Sequence, residues 1–242
     1  MNTTTWFEKG HVALVTGGSK GLGKAVARRL LECELSVIID GRDPIQLEDA
    51  RRELAPVGNL VAIAGDVADI NHVRALIAAA HAFGRLDLIV NNASTLGETP
   101  LPRVEELSES TLARIFQINV FAPLCIIRLA LPLLRRSGDR ATIVNVSSDA
   151  AVEAYSGWGG YGASKAALEH LSRVLSVELD GSHVRVLVVD PGDMNTDMHR
   201  AAVPDADFST LADPNQVARA LLDAVATTDR YRRIALASAE VA

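Results

Sequence analysis

Cysteine is scarce in this chain. Cys33 and Cys125 stand far apart in apolar, helical patterns, with neither metal-ligand nor redox spacing. This excludes a disulfide framework and a thiolate metal centre, and predicts buried, reduced thiols in a cytoplasmic protein with no metal site. An excess of positive charge is also missing. With 24 Lys+Arg against 30 Asp+Glu, the net charge is -6, which argues against nucleic-acid and anionic-membrane partners. The basic pairs Arg51-Arg52, Arg135-Arg136 and Arg232-Arg233 read as solvated helix faces. Met1 to Gly10 lacks the apolar core of a signal peptide, and no later uninterrupted apolar run reads as a bilayer span. Repeats, low-complexity stretches and linkers are absent as well, so the 242 residues read as a single domain, 1–242, with an N-terminal arm over 1–10.

What is present is a regular alternation of short β-rich runs with helical patterns. Strands are predicted over residues 11–15, 36–40, 61–64, 86–91, 142–147 and 184–190, with a weaker last one over 232–236. Each is almost continuously apolar, as expected where helices cover both faces of a parallel sheet. Helices are predicted over 21–33, 45–54, 70–83, 110–136, 161–179 and 214–227; Asp213 caps the last, and Pro214 suits its first position. The fold class is therefore α/β, a Rossmann-type doubly wound parallel sheet of about seven strands. Ligands of such sheets bind beyond the carboxyl ends of the strands, where the chemically suggestive residues of this chain all fall.

The first of these is the run from Thr16 to Gly23, TGGSKGLG, between the first strand and first helix. Its glycines allow a sharp turn and close approach to a pyrophosphate, which free amides and the helix dipole stabilise. A plain glycine-rich turn is the simpler reading, but the strand-loop-helix context favours a dinucleotide. The second is Tyr161 with Lys165 one helical turn later, and Ser148 thirteen positions earlier at the end of an apolar run. A free tyrosine titrates at about 10, so it needs help to exchange a proton near neutrality. A lysine ammonium one turn along supplies a charge that lowers that value. Without context a Tyr-Lys pair is an ordinary surface neighbour; Ser148 argues otherwise.

Together these motifs resemble the short-chain dehydrogenase/reductase family over almost the whole chain. The glycine loop matches its Thr-Gly-x-x-x-Gly-x-Gly pattern, followed in order by Asp66-Val67, Asn91-Asn92-Ala93-Ser94, Asn119, Ser148, Tyr161/Lys165 and Pro191-Gly192 with Thr196. Ser94 departs from the glycine of many members, a small change because serine is also compact. The resemblance implies a catalytic set of Asn119, Ser148, Tyr161 and Lys165. Tyr161 would be the acid/base, Ser148 would hydrogen-bond the substrate oxygen, Lys165 would hold the nicotinamide ribose, and Asn119 would anchor a water that links Lys165 to solvent. It also implies cofactor binding by Gly17, Ser19, Lys20, Gly21, Leu22, Gly23, Arg42, Asp66, Val67, Asn92, Ala93, Pro191, Gly192, Met194 and Thr196, besides Tyr161 and Lys165. Asp66 would accept from the adenine amino group, and Thr196 would offer its hydroxyl to the carboxamide.

Cofactor choice turns on Asp40-Gly41-Arg42. In alignment with the family, Gly41 replaces the acid that selects NAD and Arg42 stands where the NADP phosphate is bound, with Lys20 as a second basic group. A one-residue slip would turn Asp40 toward the ribose, but adjacent strand side chains face opposite ways. NADP(H) is thus expected, with NAD(H) the alternative. The segment 149–160, with Ala150, Val152, Tyr155 and Trp158, and a short lid over about 193–213 suggest a moderately hydrophobic ketone, aldehyde or secondary alcohol. Apolar residues at helical spacing around Phe116, Val120, Leu124 and Ile127, and around Leu168, Leu171 and Leu175, exceed what one sheet face needs. By resemblance they imply a homo-oligomer, a tetramer ahead of a dimer. The reading from another class is a nucleotide-binding regulator without turnover, for which a complete Ser148-Tyr161-Lys165 set has no use.

Overall fold

The computed structural model describes residues 7–137, 140–227 and 231–236. Among them the alternation resolves into β1 (Val12–Val15), β2 (Ser36–Gly41), β3 (Leu60–Ala64), β4 (Leu88–Asn91), β5 (Thr142–Val146), β6 (Arg185–Asp190) and β7 (Arg232–Ala235). All pair in parallel, in the order β3-β2-β1-β4-β5-β6-β7. The chain winds one way from β1 to β3, then returns to the other side of β1 with β4. This reversal places a crevice at the carboxyl ends of β1 and β4.

Period-2 alternation within each strand divides the core in two. Ala13, Val15, Val37 and Ile39 face α1 (Gly21–Glu32), α2 (Pro44–Leu54) and α8 (Pro214–Thr227). Val12, Leu14, Ile38 and Ile89 face α3 (Ile70–Ala82) and α5 (Ala122–Leu134). On that second side α6 (Gly159–Glu178) packs over β5 and β6. Helix starts follow the caps in the sequence: Asp43 accepts from the Ile45 and Gln46 amides ahead of α2, Asp69 from Asn71 ahead of α3, and Asp213 from Asn215 ahead of α8.

Several expectations need correction. The helix predicted over 110–136 is α4 (Glu109–Phe116) joined to α5 by a π-helical segment, Gln117–Phe121. A single π-helical turn keeps the chain helical through an apolar stretch, so the pattern read as one continuous helix. This composite, Glu109–Leu134, is long and apolar enough by length and composition to cross a membrane, contrary to the sequence reading. It nevertheless buries Ile126, Ile127, Ala130, Leu133 and Leu134 in the core. The lid contains a short helix, α7 (Asp197–Ala202). Cys33 and Cys125 are half-buried rather than buried. Arg233 lies on β7 and points into a cluster of carboxylates, so it does not decorate a helix face.

Ile89 sits on the central β4 with no exposed surface. Ile89→Ala is expected to lower unfolding free energy by about 2–5 kcal/mol, read from a urea transition.

Candidate active site

The crevice between β1 and β4 opens into a cleft of about 830 Å³. Of the residues singled out in the sequence, it is lined by Gly17, Ser19, Lys20, Gly21, Leu22, Arg42, Asp66, Val67, Asn92, Ala93, Met194 and Thr196. Gly23 lies behind the loop, where close packing requires it: a Cβ there would meet the Gly17 carbonyl at 2.3 Å and Asn92 Nδ2 at 2.6 Å. Gly17 and Gly21 take φ of 66° and 52°, the left-handed region that favours glycine. Lys20, at the N-cap of α1, makes no side-chain capping hydrogen bond. Beside the cleft, the first amides of α1 thus meet no capping side chain among the described residues.

The loop is held from two sides. Asn92 Nδ2 donates to the carbonyls of Thr16 (2.9 Å) and Gly17 (3.3 Å). Asp40, 1% exposed, accepts from the Gly17 amide at 2.6 Å through Oδ1, and its Oδ2 lies 3.0 Å from His72 Nε2. The Asp40 carboxylate is therefore a buried brace between loop and α3. Gly65 makes room for it, since a Cβ there would strike the His72 ring at 2.2 Å. Arg42, exposed at the rim, has no hydrogen-bond or salt-bridge partner among the described residues. Lys20 is paired with Asp197 of α7 at 3.0 Å, across the cleft mouth. Asp66 accepts from the Ala68 amide (2.9 Å) and from Arg114, a residue that sequence reasoning did not select. Thr196 caps α7, its hydroxyl oxygen accepting from His199 N at 3.3 Å. Pro191 and Gly192 follow β6, and the Gly192 amide donates to Asp190.

Beyond the cleft floor, Ser148, Tyr161 and Lys165 converge. Lys165 is 2% exposed; its Nζ donates to the Val146 carbonyl at 2.8 Å and stands 5.4 Å from the centroid of the Tyr161 ring. Burial lowers its pKa to about 8, opposed by the charge of Glu169. Tyr161 is raised to about 12, burial being the largest cause. The carboxylates of Asp190 and Asp149 also raise it, while the hydroxyls of Ser94 and Ser148 favour the phenolate. The expected lowering of the Tyr161 pKa is thus not seen, because desolvation of the phenol is the largest influence on it. Ser148 Oγ donates to Asp149 Oδ1 at 2.8 Å and accepts from the Ala150 amide at 3.2 Å.

Asn119 sits in the π segment, 1% exposed. Its Oδ1 accepts from Thr95 N and Ser94 Oγ, and its Nδ2 donates to Thr95 O and Ser164 Oγ. This side chain is committed to tying the segment after β4 to α6. Ser94 is more than a compact stand-in for glycine, because its hydroxyl lies between Asn119 and the phenol of Tyr161.

The model described as short chain dehydrogenase matches residues 11–207. The chain belongs to the short-chain dehydrogenase family. Members of this family are oxidoreductases that bind a nicotinamide cofactor and act on small molecules. Among its relatives is the rhamnolipids biosynthesis 3-oxoacyl-(acyl-carrier-protein) reductase of Pseudomonas aeruginosa, 38% identical over 204 residues, covering 81% of this chain and 77% of that one. A benzil reductase ((S)-benzoin forming) of Saccharomyces cerevisiae is 33% identical over 198 residues, 79% of this chain and 74% of its own. A Pseudomonas aeruginosa structure, described as an NADP active-site complex, superposes with a TM-score of 0.85 at 31% identity, over 97% of this chain and 98% of that one.

Gly23→Ala should displace the Gly17 carbonyl and weaken dinucleotide binding by about tenfold or more, because the loop must shift from its phosphate-ready form. Fluorescence titration with NADPH, alongside a melting curve, measures both consequences.

Proposed function

We propose that this short-chain dehydrogenase is an NADP(H)-dependent carbonyl reductase or alcohol dehydrogenase in which Tyr161 exchanges the proton. The observation that carries the reading is the juxtaposition of half-buried Ser148 with buried Tyr161 and Lys165 beside the glycine-loop cleft. The residues fit a dinucleotide: the α1 N-terminus is uncapped by side chains, and glycines stand where the loop must be close-packed or left-handed. Gly17 to Leu22 would hold the pyrophosphate, Asp66 and Val67 the adenine, and Lys165 the nicotinamide ribose. Pro191, Gly192, Met194 and Thr196 would border the nicotinamide, which when bound supplies or accepts the hydride.

NADP(H) is favoured over NAD(H) by two observations. Arg42 offers at the rim a guanidinium with no salt-bridge partner among the described residues, suited to bidentate contact with a phosphate. The acid that would compete for this assignment, Asp40, is turned inward to Gly17 and His72. Lys20 can add a second charge on exchanging Asp197 for phosphate.

In the reductive direction Tyr161 donates its phenolic proton to the carbonyl oxygen as negative charge develops there. Its raised pKa keeps it protonated through neutral pH. Ser148 turns its hydroxyl from Asp149 to the same oxygen, stabilising that charge. Lys165, the neighbouring ammonium, favours the phenolate left behind. Leu96, Ala150, Leu101, Trp158 and Ala202 pack around Tyr161 and suit a moderately hydrophobic ketone, aldehyde or secondary alcohol. The free cysteines accord with a reducing, cytoplasmic setting.

The apolar surplus on the α4–α6 region divides on folding. Val120, Ile127 and Leu168 are buried, whereas Leu124 and Leu171, joined by Phe121, Val174 and Val177, remain exposed. These outward residues support a homotetramer, and sedimentation equilibrium should return four times the 25.8 kDa chain mass. A monomer at micromolar concentration would contradict it.

Two substitutions test the chemistry. Tyr161→Phe should lower kcat by about 10²–10⁴-fold while NADPH still binds; undiminished turnover would remove the tyrosine from the proton-transfer step. Arg42→Ala should weaken NADPH by about tenfold or more and leave NADH within about twofold, the loss of one charge-assisted contact. Equal losses for both nucleotides would show that Arg42 does not read the phosphate.

A further inference from the structure

We propose that Arg233, from the last strand of the sheet, is a positioning residue of the active site. It clamps the ends of β5 and β6 to the turn of α6 that follows Lys165, acting through Glu169 and Asp190. The inference rests on the catalytic reading of Ser148, Tyr161 and Lys165.

Its basis is a cluster of charges that the cofactor does not need. Glu169 lies four residues beyond Lys165, hence on the same face of α6. It is 5% exposed, and Asp190, the last residue of β6, is 6% exposed. Arg233 Nε donates to both oxygens of Glu169, at 3.0 and 3.1 Å. Its Nη2 donates to Asp190 Oδ2 at 3.3 Å and to the carbonyl of Ser148 itself at 3.2 Å. Ser147 Oγ donates to Glu169 at 2.6 Å, and the Gly192 amide donates to the other oxygen of Asp190. One guanidinium thus fixes the backbone of the catalytic serine, the helix that bears Tyr161 and Lys165, and the turn after β6.

A merely structural closure of the sheet edge would be served as well by apolar side chains, since buried ion pairs are weak stabilisers. Here the carboxylates have an electrostatic consequence. The charged or titratable groups around the Tyr161–Lys165 pair are Glu169 on α6, which acts on Lys165, Asp190 on β6 and Asp149 after β5, which act on Tyr161, and Arg233 on β7, paired with Glu169 and Asp190. Among these, Glu169 acts to keep Lys165 protonated against the effect of burial. Arg233 sets a positive charge against the buried carboxylates of Glu169 and Asp190 beside the site.

The test separates this inference from the catalytic reading by measuring Lys165 without turnover. Lysine labelled with ¹³C at Cε is titrated by NMR, Lys165→Met identifying the signal. Glu169→Gln keeps the side-chain shape and removes the charge, and should lower the Lys165 titration midpoint by about half a pH unit or more. The alkaline limb of kcat should move in the same direction. An unmoved midpoint would overturn the proposal, whatever the enzyme's activity. Arg233→Met should lower kcat by about tenfold or more with the NADPH Kd within about twofold of the parent, and Arg233→Lys should recover part of the loss. Full kcat in Arg233→Met would equally overturn it; should that variant not fold, the Glu169→Gln titration decides. Lost turnover in the unmodified protein, or retained turnover in Tyr161→Phe, would instead defeat the catalytic reading and leave the titration to judge the clamp.

Discussion

An ammonium buried to 2% exposure is costly to place in a protein interior, and the arrangement around Lys165 offsets that cost. The end of β5 offers the Val146 carbonyl, α6 presents the Tyr161 ring on one turn and Glu169 on the next, and burial still lowers the lysine pKa to about 8. That value lies near neutrality, where a change of protonation is useful to catalysis. Tyr161 moves the opposite way for the same reason, since a desolvated phenol resists ionisation. Two groups pushed apart by one low-dielectric environment can divide the work of holding and passing a proton.

The parallel sheet determines where that environment can exist. Every strand ends on one edge, so the loops after β1, β4, β5 and β6 meet although their residues are far apart in the chain. The cleft side of this edge depends on packing that leaves no space for a Cβ at Gly23, and on Asp40, which fastens the glycine loop to His72 on α3. A carboxylate near the end of β2 thereby becomes part of the scaffold, while Arg42, two residues on, lies at the rim.

Much of this was legible in the chain because it is written locally. Seven strands, the two-sided core and the cap at Asp213 follow from short-range patterns, and the ordered motifs from Thr16 to Thr196 identify the family. The opposite facing of Asp40 and Gly41 was also legible, since adjacent strand side chains alternate and the structure does turn Asp40 inward. What escaped was long-range or subtle. Glu169 offered a signal, four residues from Lys165, but nothing near Arg233 announces a partner 64 positions away. The π segment around Asn119 hides within an unbroken hydrophobic pattern. Desolvation of Tyr161 depends on the whole fold, so the raised pKa of the phenol could not be read from its spacing to Lys165.

The central question for this protein is whether the Ser148–Tyr161–Lys165 assembly performs carbonyl chemistry. The direct measurement is NADPH and NADH oxidation, followed at the nicotinamide absorbance with a panel of neutral, moderately hydrophobic ketones and aldehydes, together with chromatographic quantification of the alcohols. The predicted result is repeated turnover, faster with NADPH, with one alcohol formed per nucleotide oxidised. Tight NADPH binding without turnover of any carbonyl in a broad panel would contradict it and mark the protein as a nucleotide-binding regulator.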